Sequence, residues 1–144
     1  DLMSYKAAVK MKPILVYITM SADQTMASSD TLLFDTITGS AGHGVTISSG
    51  VVTVPSGHQW FCQVQALSSN IVSVDLDWYI NSSVSTLFAN TGITQTTLAT
   101  ATGNSVAHCA LDAIISTVDV ELRANGAVTI ESDFAFMTLI GYPS

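Results

Sequence analysis

Few residues in this 144-residue chain have the types and spacing that catalysis needs. A nucleophilic triad requires a serine, a histidine and an acid placed together, and no G-x-S-x-G motif is present. The glycine-rich stretch GSAGHG, residues 39–44, lacks the lysine of a P-loop and lies between predicted strands. The three histidines, His43, His58 and His108, stand apart from one another in the sequence. We therefore expect a protein that is not an enzyme and that holds no cofactor.

Side chains that bind metals are equally sparse. Asp75 and Asp77 share one face of a predicted strand and would begin a calcium site, but the local sequence supplies none of the other oxygen ligands. Solvated carboxylates are the simpler interpretation. Cys62 and Cys109 are too few for a zinc finger, and neither lies in a CxxC motif. The sequence therefore predicts no metal site.

The charge of the chain is low and uneven. Only 10% of the residues are charged, against roughly 25% in an average soluble domain, and 48% are hydrophobic. Residues 1–12 hold Lys6, Lys10 and Lys12 against Asp1, a net charge of +2, whereas the remainder holds Arg123 against ten acids, a net charge of −9. An acidic body excludes a nucleic-acid partner, because phosphates need clustered lysine and arginine. The basic arm is expected either to dock on an acidic protein surface or to be a solvated tail.

The pattern of residues predicts one all-β domain. Runs rich in Val, Ile, Thr, Phe and Trp alternate with Ser, Gly and Asn. No apolar run reaches the roughly 18 residues of a membrane helix, so no membrane insertion is expected. We predict an N-terminal arm of residues 1–12 and a β domain of residues 13–144. The predicted strands are 13–20, 31–38, 44–48, 51–54, 58–68, 71–81, 84–89, 105–115, 117–124, 127–131 and 133–142.

Two turn signals and one long connection separate these strands. The tripeptide SSG at 48–50 and the dipeptide NG at 125–126 predict hairpin turns, because Gly and Asn tolerate positive φ. Residues 90–104 form a long threonine-rich connection with room for one short strand.

The strands are of two kinds. In 71–81 apolar and polar residues alternate, as expected where one face meets the core and the other meets water. In 13–20 and 133–142 both faces are apolar. This difference predicts a sandwich of two sheets, one with a solvated outer face and one whose outer face is covered. Because the chain supplies no second domain as cover, copies of itself are the expected partner.

Three stretches carry the pattern of a known family. Residues 32–60 contain a Phe-Asp pair, a glycine, a hairpin that ends in proline, and then a glycine and an aromatic residue. Residues 105–124, SVAHCALDAIISTVDVELRA, have the layout of two paired strands near the end of the domain. Residues 132–142, SDFAFMTLIGY, match a closing strand of the form F-x-G-F-L-L. The positions that match are Phe34, Asp35, Gly50, 51–54, Pro55, Gly57, Trp60, Phe134, Phe136 and Leu139.

This layout resembles the jelly-roll domains of complement C1q and tumour necrosis factor over residues 13–142. Three features depart from the family: no Gly-X-Y collagen repeat precedes the domain in the given sequence, Ser116-Thr117-Val118-Asp119 replaces a usual Gly-Asp, and the spacing from Pro55 to Gly57 is shorter by one. The resemblance implies a two-sheet antiparallel jelly-roll sandwich that forms a compact homotrimer, with the sheet of the first and last strands facing the threefold axis. The trimer-interface residues expected on this basis are Leu15, Tyr17, Phe61, His108, Ala135, Met137 and Leu139.

The same resemblance places strands 58–68 and 105–115 side by side, with Cys62 and Cys109 facing each other. Two alternatives stay open for this pair, two buried thiols or a disulfide. His108 lies on the opposite face from Cys109, where three copies around the axis would bind an ion or sense pH. A hydrogen-bonded interface histidine is the simpler interpretation.

Three functions follow from this reasoning. The first is a structural protein of a virion surface, either a trimeric capsid decoration protein or a head-fibre knob, with Lys6, Lys10 and Lys12 docking on capsid or other virion proteins. The second is the head of a viral fibre that binds a host receptor or glycan. The third is a secreted, extracellular recognition ligand of the C1q type.

Overall fold

The computed structural model describes residues 12–66, 74–84, 95–98 and 105–143. Within these ranges the chain forms thirteen β-strands and one 3-10 turn, Ser132–Phe134. The strands are β1 Ile14–Thr19, β2 Gln24–Met26, β3 Thr36–Gly39, β4 Thr46–Ser48, β5 Val51–Val54, β6 His58–Ala66, β7 Val74–Ile80, β8 Ser83–Val84, β9 Gln95–Leu98, β10 Ser105–Ala113, β11 Val118–Ala124, β12 Val128–Ile130 and β13 Phe136–Pro143. Of these residues, none forms a helix long and apolar enough to cross a membrane.

The strands form two antiparallel sheets and a smaller pair. The inner sheet has the order β10-β6-β13-β1-β3, so that the first and last long strands of the chain are neighbours. The outer sheet has the order β4-β5-β11-β7-β8, with β9 also pairing with β7. Strands β2 and β12 pair with each other. The predicted all-β sandwich of two antiparallel sheets is therefore confirmed.

The core lies between the two sheets and follows from the alternation of residues along each strand. In β6 every second side chain is buried, which places Trp60, Cys62 and Val64 inside. Trp78 contributes a second buried indole from the outer sheet. Gly141 lies opposite Trp60 in β13, and a Cβ atom there would stand 2.7 Å from the indole ring. The glycine therefore leaves room for the ring against the strand.

The turn predictions have different outcomes. Ser49 and Gly50 both have positive φ, 49° and 79°, and join β4 to β5 as a two-residue hairpin. This geometry is that of a type I′ turn, and the prediction from the SSG tripeptide is confirmed.

The hairpin predicted at residues 125–126 is wrong, because β12 pairs with β2 and not with β11. Strand β11 is already paired on both sides, with β5 and with β7, so it has no free edge for β12. The chain leaves the outer sheet here, and β12 buries Val128 and Ile130 elsewhere in the core.

The predicted strand 31–38 is shorter in the structure, which places only Thr36–Gly39 in β3. The preceding residues instead run along β11, where the Ser29 amide donates to the Ala124 carbonyl at 2.7 Å and the Leu32 amide to the Leu122 carbonyl at 2.8 Å. This segment extends the outer sheet beyond the short strand β5.

Candidate functional site

One face of the inner sheet points away from the core and carries large apolar side chains. It is built by alternate residues of β1, β6, β10 and β13, whose other residues fill the core. Directly opposed residues in antiparallel strands project to the same side, so the pairing register decides which side chains meet on this surface. We call it the inner-sheet face and define it by Leu15, Tyr17, Phe61, His108, Phe136, Ile140 and Tyr142.

Two rows of side chains cross the middle of the inner-sheet face. In the first, Leu15 lies opposite Ile140, Ile140 opposite Phe61, and Phe61 opposite Ala110. The second row runs through Tyr17, Thr138, Gln63 and His108. The first row contains no polar side chain, and neither row contains a carboxylate, a lysine or an arginine.

Two aromatic contacts join neighbouring side chains on this face. The ring centroids of Tyr17 and Phe136 are 5.5 Å apart, and those of Phe61 and His108 are 5.9 Å apart. Such offset or tilted ring pairs fix the side chains in place beyond the effect of burial alone. The inner-sheet face is thus pre-organised within a single chain.

The inner-sheet face is exposed in the single chain. Leu15 is 53% exposed, Tyr17 44%, Phe61 45% and Tyr142 51%. Two open grooves lie on it, one of about 400 Å³ beside Leu15 and Tyr17, and one of about 170 Å³ beside Phe61 and Tyr142. Solvent would meet this surface unless another molecule covers it.

The predicted interface residues divide into two groups, one on the inner-sheet face and one in the core. Leu15, Tyr17, Phe61 and His108 lie on the inner-sheet face; the first three are exposed and His108 is half-buried.

The prediction for β13 was wrong about which side faces outward. Ala135, Met137 and Leu139 are buried in the core of the single chain. The register explains the reversal, because Met137 lies opposite Ile18 and Val64, both of which point inward. Phe136, Ile140 and Tyr142, which the sequence reasoning did not assign to an interface, take the outer positions instead.

The predicted docking lysines lie almost entirely outside the described residues. Lys6 and Lys10 fall outside them, and Lys12 is exposed just before β1. Their role in docking stays a prediction.

The two cysteines face each other, as the resemblance implied. Cys109 lies directly opposite Cys62 across β10 and β6, and both are buried free thiols. Burial raises the pKa of the Cys62 thiol well above its usual value, and the neighbouring Cys109 raises it further. The Cys62 thiol is therefore protonated and unreactive while the sheet is closed.

The remaining candidates for chemistry are not brought together. His43 accepts a hydrogen bond at Nδ1 from the Val45 amide at 2.9 Å, within its own loop. The His58 ring lies 5.6 Å from that of Trp60. Across the part of the chain that the structure describes, no three His, Cys, Asp or Glu side chains are grouped as metal ligands.

The outer sheet presents a surface of the opposite character. On its outer side the partly exposed Arg123 forms an ion pair with the buried Glu121, and the guanidinium lies 4.2 Å from the centre of the Tyr79 ring. Thr53 donates a hydrogen bond of 2.6 Å to Asp119 on the neighbouring strand. These polar groups find their partners within the same chain.

Solved structures show what this architecture is similar to. Murine APRIL superposes with a TM-score of 0.61 at 12% identity, covering 90% of this chain and 98% of that one. Eiger TNF from S. frugiperda gives 0.60 at 12% identity, with 90% and 92% covered. The globular domain of zebrafish complement 1qA protein gives 0.50 at 10% identity, with 92% and 97% covered.

The fold is the antiparallel jelly-roll sandwich of TNF-like and C1q-like domains. At this level of identity the likeness establishes the fold alone. No family model matches the sequence, and no curated protein matches it. The predicted virion role finds no support among these named structures, which are TNF-like and complement domains.

Proposed function

We propose that the protein is a non-enzymatic, extracellular recognition ligand that acts as a homotrimer, in which the inner-sheet face is the contact between subunits. The observation that carries this proposal is the exposed apolar surface built from Leu15, Tyr17, Phe61, Ile140 and Tyr142. Fully burying an exposed side chain of this size contributes about 1.5–3 kcal/mol, and these side chains are about half exposed, so each would contribute at most about half of that. Several of them on one face together favour association.

The surface suits a second copy better than an unrelated charged partner. Its central row carries no charge, and the exposed carboxylate of Asp112 lies on the edge strand of the face, opposite Gln59. A contiguous exposed apolar patch of this kind usually marks a protein interface, and most soluble assemblies are closed and symmetric. The threefold arrangement itself comes from the resemblance to C1q and tumour necrosis factor.

The recognition role is supported by the fold, because the named structures are TNF-like and complement 1q domains. A trimer presents three equivalent copies of every outward loop and edge. Three weak contacts with a multivalent partner would then combine to give a high overall affinity. We expect the partner to be a receptor or glycan outside the cell.

The first experiment measures the mass of the assembly by light scattering. We expect about three times the chain mass of 15.1 kDa for the native protein. Tyr17→Asp and Phe61→Asp each place a carboxylate on the inner-sheet face and should yield single chains. Leu33→Asp is the matched control, because Leu33 is 45% exposed, the same fraction as Phe61, but lies outside the inner-sheet face beside Ile47.

The second experiment tests recognition itself. The labelled native protein is applied to an array of glycans and a panel of receptor ectodomains, with Phe61→Asp as the matched single-chain form. Binding that is saturable and much weaker for Phe61→Asp supports the proposal. Binding that is equal for both forms would show that trivalency has no part in recognition.

A further inference from the structure

The cysteine pair points to a modification site within the fold. Cys62 and Cys109 are the only cysteines of the chain. They occupy directly opposed positions on neighbouring strands, and both side chains project into the core. Opposed residues of antiparallel strands have Cα atoms about 4.5–5.5 Å apart, inside the 4.4–6.8 Å that a disulfide spans.

We propose that Cys62 and Cys109 form a cross-strand disulfide that locks β10 onto β6. The bond joins two cysteines of one chain, so this inference does not depend on the proposed trimer. In the described part of the inner sheet, β10 is the edge strand and β6 is its neighbour. A bond at the centre of the nine paired positions, from Ser105 to Ala113, would hold the edge in place along its whole length.

The bond forms by two exchange steps with a small-molecule disulfide such as oxidised glutathione. One cysteine thiolate attacks the external disulfide, forms a mixed disulfide and releases one reduced thiol. The second cysteine thiolate then attacks the protein sulfur of the mixed disulfide and releases another. The two protein thiols are oxidised, the external disulfide is reduced, and the two protons pass to the released thiols.

The closed sheet hinders this exchange in two ways. Both thiols are buried, so an external disulfide cannot reach them. Burial also raises the pKa of Cys62, which leaves little of the thiolate that exchange requires. Oxidation is therefore expected while β10 is detached from β6, either during folding or when the edge strand opens.

The closed bond would join two distant parts of the chain. Residues 62 and 109 bracket β7, β8 and β9, so the bond closes a long loop and restricts the unfolded chain. We expect the oxidised protein to melt about 10 °C higher than the reduced protein.

The test compares oxidation during folding with oxidation of the folded protein. Reduced chain is refolded in a mixture of oxidised and reduced glutathione, and a second sample is exposed to the same mixture after folding. Both are denatured without reductant, and free thiols are counted by alkylation and intact mass. We expect no free thiols, and a mass lower by two hydrogens, after oxidative refolding, whereas folded protein oxidises only as fast as it unfolds.

Cys109→Ala is the matched control, since its one thiol cannot form a bond within the chain. Its melting temperature should be the same with and without glutathione. The free thiols are counted on the native sequence, so that measurement does not depend on whether a variant folds. Two free thiols after oxidative refolding would overturn the proposal. So would a disulfide between two chains, a lower melting temperature for the oxidised form, or oxidation of folded protein as fast as that of unfolded chain.

Discussion

The two sheets of this sandwich obey the same alternation but expose different surfaces. On the outer sheet the partly exposed Arg123 pairs with the buried Glu121 and stacks on the Tyr79 ring. The inner sheet shows Leu15, Phe61 and their neighbours, with no ion pair on that face among the described residues. One surface has its polar groups satisfied within the chain, and the other has apolar area that water does not solvate favourably.

This contrast separates residues that stabilise the single chain from residues that assemble it. Side chains between the sheets, such as Met137, stabilise the fold whether the chain is single or assembled. Side chains on the inner-sheet face contribute only when copies associate. The outer-sheet ion pair stabilises the single chain and has no part in assembly. Substitutions at these three places should therefore differ in their effects.

The largest effect is expected at the core side of β13. Met137→Ala removes a side chain that is fully buried between Ile18 and Val64, and should lower the free energy of unfolding by about 2–5 kcal/mol. Ile140→Ala, one of the face residues of the same strand, is the control. Chemical denaturation is measured in the Tyr17→Asp background, so that assembly does not contribute. Equal losses for the two variants would contradict the assignment of faces.

The next effect concerns the close approach of Gly141 to Trp60. In Gly141→Ala the new Cβ atom would lie 2.7 Å from the indole ring, so the ring or the strand must shift. Overpacking of this kind should cost about 1–3 kcal/mol of unfolding free energy. Gly126→Ala is the control, because its Cβ atom would stand 3.3 Å from Val74 and meets one flexible methyl group. A Gly141→Ala protein as stable as Gly126→Ala would show that the ring is not fixed there.

A smaller effect is expected at the outer-sheet ion pair. Glu121 is 6% exposed, and Arg123→Met would leave its carboxylate buried without the guanidinium. We expect a loss of about 1–2 kcal/mol, because Arg123 is itself partly exposed. Adding Glu121→Gln to Arg123→Met should recover part of that loss. Oligomer mass should be unchanged in both proteins, and a change of mass would show that the outer sheet also takes part in assembly.

The smallest effect is a dependence of stability on acid pH. The Ser21 hydroxyl, followed by that of Thr36, donates to Asp35 and holds its pKa below 3.8. The Ser132 amide and then its hydroxyl do the same for Asp23. A carboxyl whose pKa is lower in the folded state stabilises the protein above pH 3.8, and this contribution is lost as pH falls through the folded pKa.

This dependence is measured by urea denaturation between about pH 6 and pH 3. Asp35→Asn should reduce the loss of stability below pH 3.8, and Asp23→Asn should do the same. Asp133→Asn, at an exposed position of the 3-10 turn, is the control. If the native protein loses no more stability on acidification than the Asp23→Asn/Asp35→Asn protein, these hydrogen bonds do not stabilise the fold.

Much of the fold could be predicted because alternation is a local property. The buried side of β6 follows from its residues, with Trp60 and Cys62 inside. The Ser49-Gly50 turn follows from the need for positive φ. These features depend on neighbours in sequence and not on the topology.

The site was harder to predict where both sides of a strand are apolar. In β13 alternation separates Met137 and Leu139 from Ile140 but does not say which side is buried. The pairing register with β1 and β6 decides it, and that register is a long-range property. A local signal did exist, since Tyr142 shares a side with Ile140 and a tyrosine at a strand end favours the exposed side.

The different roles of the two sheets depend on whether the inner-sheet face is covered in solution. Hydroxyl-radical footprinting of the native protein compares Phe61 with Leu33, which are equally exposed in the single chain, each rate being normalised to that of the denatured protein. If copies cover the face, Phe61 and Tyr17 are protected severalfold relative to Leu33, and Tyr17→Asp removes the protection of Phe61. Equal normalised rates for Phe61 and Leu33 in the native protein would show that copies do not cover the face.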